Sequence, residues 1–140
     1  MEEKMDYTHL VQYYETDKMG VTHHSNYIRC MEEARVDFLA QIGWDYAKLE
    51  AIGIVSPVIN VTCDFKHTTT FSDKITIGVV VKEFSGVKLK IAYEMKNQDG
   101  IVVCVGTSLH AFLNVEGKPI RMKREYPELF EVLSKYVEEI

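Results

Sequence analysis

The sequence predicts an α+β domain in which one antiparallel sheet covers one long, apolar-striped helix. Three observations carry that prediction. Apolar residues recur at helical spacing through the segment that begins at Asn26, and from Ile59 onward the period changes to two. The connections between the later strands are also too short for parallel crossovers, which need a dozen or more residues. A sheet and a helix with one apolar face each are stable when they bury those faces together.

The elements follow in order. The run "YTHLVQYY" from Tyr7 to Tyr14 is short and rich in β-branched and aromatic residues, and reads as a strand. A polar loop, Glu15–His24, leads to Ser25, a residue type suited to cap the helix that follows. In that helix Tyr27, Met31, Ala34 and Phe38 form the stripe, widened by Ile28, Leu39 and Ile42, and Gly43 stands where helices commonly stop in the left-handed conformation. Residues 45–52 read as a second short helix ending at Gly53. Ile59, Val61, Cys63 and Phe65 then alternate with polar residues. Looser alternation from Ile75 to Lys82 suggests a strand buried on both faces. Leu89, Ile91, Tyr93 and Met95 alternate cleanly after the Ser85-Gly86 turn. Asp99-Gly100 is a hairpin signal leading into "IVVCVGTSLHAFLNV", which the Glu116-Gly117 turn closes. Pro127 stands near the start of a terminal helix carrying Leu129, Leu133 and Tyr136.

A chain of 140 residues suits one domain spanning residues 1–140. With 46% hydrophobic and 26% charged residues, it has the composition of an ordinary globular protein. The net charge of −5 argues against a general nucleic-acid binder. No apolar run approaches the roughly 18 residues of a membrane span, and "MEEKMDYTHL" lacks the apolar core of a secretory signal. Cys30, Cys63 and Cys104 are widely spaced and odd in number, so reduced, mostly buried thiols in a cytoplasmic protein are expected.

The stretch "YYETDKMGVTHHSNYIRCMEEAR" holds the candidate chemistry. Asp17 lies in the strand-to-helix loop, Gly20 lets backbone approach closely, and the helix start near His24 offers unpaired N–H groups with partial positive charge. Such N–H groups can hold an oxyanion, and a carboxylate beside them can attack a carbonyl or act as base on water. An amide leaving group must be protonated, whereas a thiolate leaves unaided because its conjugate acid has a pKa of about 8.5. The set therefore suits a thioester better than a peptide. The competing reading makes Asp17 an Asx-type turn residue. His23-His24 lacks partners at zinc-ligand spacing, so no metal is expected. Glu32 and Glu33 read as solvated partners of Arg29 or Arg35, with a second catalytic acid as the alternative.

The pattern Tyr14, Thr16-Asp17, Gly20-Val21, His24, Asn26-Tyr27 and the helix to Arg35 resembles the signature of hotdog-fold acyl-CoA thioesterases, in the 4-hydroxybenzoyl-CoA thioesterase family with its YbgC-like branch. The resemblance covers about His9 to Pro127. It implies a five-stranded antiparallel sheet wrapped around the long helix, with Asp17 as the catalytic carboxylate and the backbone N–H of His24 polarising the thioester carbonyl. It also implies acyl-CoA as substrate with no other cofactor, and homodimers with interface active sites that often pair into homotetramers. His23 departs from the family's usual Tyr or Trp at a position abutting the acyl group. Asn26, Tyr27 and Ser56 are further substrate-binding candidates, and Lys88 and Lys90, on one strand face, are candidates for the coenzyme A phosphates, with Arg121, Lys123 and Arg124 as the other basic cluster. A non-enzymatic acyl-CoA sensor, a hydrolase of acyl-carrier-protein thioesters and a hotdog dehydratase are the competing functions.

Overall fold

The structure, a computed structural model, describes residues 6–137; the first five residues of the charged N-terminal segment lie outside it. Five strands, β1 (Tyr7–Leu10), β2 (Val58–Phe65), β3 (Lys74–Phe84), β4 (Lys88–Lys96) and β5 (Val102–Ala111), form one antiparallel sheet in the order β1-β3-β4-β5-β2. The helices are α1 (Ser25–Gln41), α2 (Tyr46–Ala51), α3 (Met122–Glu125) and α4 (Pro127–Lys135). This is the hotdog arrangement of a sheet wrapped around a central helix.

Helix α1 lies against the sheet through Tyr27, Cys30, Met31, Ala34, Phe38 and Leu39, all buried. Opposite them stand the inward residues of β3 and β4: Ile75, Ile77 and Val81, then Leu89, Ile91, Tyr93 and Met95. Close approach is set at Gly106 on β5, where a Cβ would meet Met31 Cε and would stand 2.5 Å from the Thr62 carbonyl oxygen. Leu129 and Leu133 of α4 join the same core.

Several elements differ from the sequence expectation. Strand β1 stops at Leu10, because the Glu15 carboxylate accepts the Gln12 N–H at 2.8 Å and closes a 3₁₀ turn over Tyr13–Glu15. Ser25 is the first residue of α1 rather than its cap. His24 occupies the cap position, and the N–H of Ser25 donates to His23 Nδ1 at 3.2 Å. Strand β3 alternates regularly, with Thr76 and Gly78 half-buried and Val80 37% exposed, so only its helix-side face is covered. Strand β5 ends at Ala111, after which Leu113 bridges Val55 and Pro119. A short helix, α3, precedes the expected terminal one. Cys30 and Cys104 are buried and Cys63 half-buried, all three free, and burial pushes the Cys30 thiol up to about 12.

Candidate active site

The loop between β1 and α1 is held by its own backbone. Thr16 and Thr22 form an antiparallel bridge, Asp17 N–H donates to Val21 O at 2.9 Å, and Gly20 N–H donates to Asp17 O at 2.9 Å. Gly20 adopts φ +80, the left-handed conformation that closes this tight turn, and nothing lies within 4 Å of where its Cβ would stand. Its contribution here is the turn geometry. The neighbouring β2–β3 connection braces the loop: Thr70 Oγ1 donates to Gly20 O at 2.7 Å, and Thr22 N–H donates to Thr69 O at 2.9 Å.

Asp17 is half-buried at the head of that turn. Its Oδ1 accepts the Met19 N–H at 2.9 Å, and Oδ2 has no hydrogen-bond partner among the described residues. The Asx turn and the chemical role are therefore compatible, since one oxygen holds the carboxylate while the other is free to act. At the far side of the loop the His24 N–H finds no acceptor among the described residues, and it stands at the start of a 17-residue helix. An unpaired N–H at a helix N-terminus is a donor for a developing oxyanion.

The two histidine side chains have structural contacts. His23 Nδ1 lies 2.9 Å from Ser25 Oγ, in addition to accepting the Ser25 N–H, so it caps the helix start. His24 stacks on His23 at 4.2 Å and sits edge-on to Phe65 at 6.1 Å. Both histidines are exposed. Asn26 and Tyr27 are buried and engaged within the protein. Asn26 Nδ2 donates to Glu15 O at 3.0 Å and to His23 O at 3.3 Å, and Oδ1 accepts from Arg29 at 3.0 Å. Tyr27 OH lies 2.9 Å from Thr69 Oγ1, itself 2.6 Å from Thr22 Oγ1. These two residues hold the loop against the helix from behind.

The remaining candidates lie elsewhere. Ser56 is half-buried in a cleft of about 220 Å³ with Tyr46, Leu49, Glu50, Ile54, Val55 and Pro57, just before β2 begins. The register pairs Val58 with His110 and Lys88 with Ala111, so Ser56, Lys88 and Lys90 share one end of the sheet. Phe65 pairs with Cys104, and Cys104 with Met95, so Asp17 and His24, which adjoin Phe65 and the β2–β3 connection, mark the other end. At about 3.3 Å per residue, the eight-residue β2 separates the two groups by roughly 23 Å within one chain. Arg121, Lys123 and Arg124 are exposed around α3.

Sequence reasoning passed over His9 and Glu15, and it read Glu33 as a solvated helix residue. The structure joins all three, with His9 Nδ1 2.9 Å from Glu33 Oε1 and His9 Nε2 2.9 Å from Glu15 Oε1. Glu33 also accepts from Tyr7 OH at 3.1 Å, whereas Arg29 faces Asn26 and Arg35 faces Tyr46. The only local signal was the capping-box spacing of Gln12 and Glu15. Nothing local marked His9.

A model of the thioesterase-like superfamily matches residues 11–133. The chain is 29% identical over 119 residues to YneP of Bacillus subtilis (strain 168), a match covering 84% of this chain and 86% of that one. It is similar to the solved DHNA-CoA thioesterase of Staphylococcus aureus, with 32% identity, a TM-score of 0.88, and coverage of 93% of this chain and 88% of that one. It is also similar to the solved gentisyl-coenzyme A thioesterase BH1999, with 25% identity, a TM-score of 0.77, and coverage of 82% and 93%.

Proposed function

The chain belongs to the thioesterase-like superfamily, and from that premise we propose that it is an acyl-CoA thioesterase, cleaving an acyl-CoA with water to a free acid and coenzyme A. Two of the similar solved structures are named a DHNA-CoA thioesterase and a gentisyl-coenzyme A thioesterase, which supports a coenzyme A thioester here. The observation that carries the catalytic reading is local. One short hairpin presents a half-buried carboxylate with one free oxygen, and it leads directly into a helix whose first free N–H has no acceptor among the described residues.

The thioester carbonyl oxygen accepts from His24 N–H, and the helix N-terminus stabilises the negative charge that develops there. Asp17 Oδ2 then either attacks the carbonyl carbon, forming an anhydride that water opens, or takes a proton from a water that attacks directly. In both routes the C–S bond breaks as the tetrahedral intermediate collapses, and the thiolate leaves without prior protonation. His23, exposed beside this N–H, borders the acyl group.

The working unit in this reading is a homodimer formed along β2. That strand is a sheet edge with Val58, Ile59 and Phe65 each at least half exposed, an unpaired apolar edge of the kind folded proteins cover. Antiparallel pairing of β2 with its copy would carry the Ser56 end of one subunit to the Phe65 end of the other. It would thus assemble Ser56, Lys88 and Lys90 with the partner's Asp17 loop, joining groups that one chain keeps roughly 23 Å apart. Dimers of this kind can pair further into tetramers. Release of free thiol from aromatic, short and long acyl-CoAs tests the function. Activity that disappears in Asp17→Asn supports it, and a parent that binds every acyl-CoA yet cleaves none refutes it.

A further inference from the structure

Two carboxylates converge on one imidazole behind the loop that carries Asp17. His9 stands on β1 with its side chain 12% exposed. Its Nδ1 lies 2.9 Å from Glu33 Oε1 on α1, and its Nε2 lies 2.9 and 3.1 Å from the two oxygens of Glu15. A neutral imidazole has a single N–H, and an ionised carboxylate only accepts. Both contacts are satisfied together only by the imidazolium. Burial by itself would lower the His9 pKa, but the hydrogen bonds and charges of Glu15 and Glu33 outweigh it and raise the pKa above the ordinary histidine value. Tyr7 OH on β1, and Asp37 and the Cys30 thiol on α1, are the other titratable groups around the cluster.

Glu15 is the other half of the device. Its carboxylate accepts the Gln12 N–H, and its backbone oxygen accepts the His23 N–H at 2.8 Å and Asn26 Nδ2 at 3.0 Å. One residue therefore ties the start of the Asp17 loop to the start of α1. Asp17 lies two residues beyond it, and His24 directly follows His23. A shift of Glu15 would change the distance between the attacking carboxylate and the N–H that receives the oxyanion.

We propose that His9 is a positioning residue for thioester cleavage: bridging Glu15 and Glu33, it fixes the Glu15 carbonyl that holds His23 and Asn26, and so sets His24 N–H against Asp17. The proposal rests on the catalytic reading of Asp17 given above. His9 itself does not touch the reacting atoms. Its effect falls on transition-state geometry, hence on kcat rather than KM.

The test is thiol release across pH by the parent, His9→Gln, Glu33→Gln and Asp17→Asn, using one acyl-CoA that the parent cleaves. His9→Gln is expected to lower kcat by about 10- to 100-fold, the scale of a misplaced catalytic group, with KM within about threefold. The pH profile supplies the readout a mere brace would not move. The bridge is complete below about pH 6.5 and is lost as pH rises through the higher folded pKa, so parent kcat falls on that alkaline side. His9→Gln should lack this limb. Glu33→Gln, altering a side chain 40% exposed, keeps the Glu15 contact and should shift the limb to lower pH; it carries the test if His9→Gln does not fold. If His9→Gln keeps the parent's kcat and alkaline limb while only its melting temperature drops, His9 is a structural brace and the proposal is wrong. If Asp17→Asn cleaves as fast as the parent, the premise itself fails, whatever His9→Gln does.

Discussion

Asp17 Oδ1 accepts the backbone N–H of Met19 at 2.9 Å, so the carboxylate that faces the thioester in our reading is held by the turn it begins. This separates two substitutions. Asparagine retains an oxygen for Met19, so Asp17→Asn should fold normally and lose about 10²- to 10⁴-fold in kcat, the usual range for a general base. Alanine removes the turn bond as well, and Asp17→Ala should also cost about 1 kcal/mol in denaturant unfolding. Equal kcat for parent and Asp17→Asn would remove Asp17 from the mechanism.

Gly106 sets the distance between β5 and α1. A Cβ there would collide with Met31 Cε and crowd the Thr62 carbonyl oxygen at 2.5 Å. Met31 can move, but a backbone carbonyl in the sheet cannot do so cheaply. Gly106→Ala should therefore destabilise by about 1–3 kcal/mol, and Gly106→Val by more. Urea unfolding of the two variants reads this directly, and an unchanged midpoint would contradict the packing.

Gly20 presents the opposite case. It has open space around it and φ +80, so the penalty for a side chain is conformational only. Gly20→Val should cost about 1–2 kcal/mol, whereas Gly20→Asn should cost less, because asparagine tolerates the left-handed region. Because the turn carries Asp17, kcat should fall more than stability alone would suggest. Matching losses for the two variants would argue against a conformational origin.

His110 predicts the acid side of the stability curve. It is 1% exposed, its Nε2 lies 2.6 Å from Ser108 Oγ, and burial followed by the nearby Arg35 charge pushes its pKa down to about 3. The unfolded chain binds this proton near pH 6.5 and the folded chain does not, so stability is full above about 6.5 and falls as pH drops toward 3. The whole span amounts to about 5 kcal/mol at most. Melting measured at about pH 7 and pH 4.5 should show a smaller acid loss in His110→Gln than in the parent. An identical loss in both would assign the acid sensitivity to other groups.

The β2 edge predicts assembly. Ile59 is 50% exposed on it, and a lysine there should block edge pairing, as charged side chains do on natural sheet edges. Ile59→Lys should halve the mass seen by sedimentation and abolish cleavage, because Ser56, Lys88 and Lys90 would no longer meet a neighbouring Asp17 loop. A fully active monomer would place the complete site within one chain.

Much of this protein is determined by the sequence alone, because much of it is local. The stripe Tyr27, Met31, Ala34, Phe38 lies on one side of α1 for any straight helix of 3.6 residues per turn. The turns at Gly43, Gly53, Gly86, Gly100 and Gly117 all take positive φ, as residue type suggested. The Asp17 turn and the His24 helix start are likewise legible, since their bonds span only a few residues. Tertiary structure decided the rest. His9 meets Glu33 across 24 positions, and Thr22 meets Thr69 across 47. Strand register, not any neighbouring residue, placed Ser56, Lys88 and Lys90 at the far end of the sheet from Asp17. The physical reason is that backbone geometry dictates which residues share a face, whereas pairing between faces depends on how the helix seats on the sheet, and that is decided by the whole core at once.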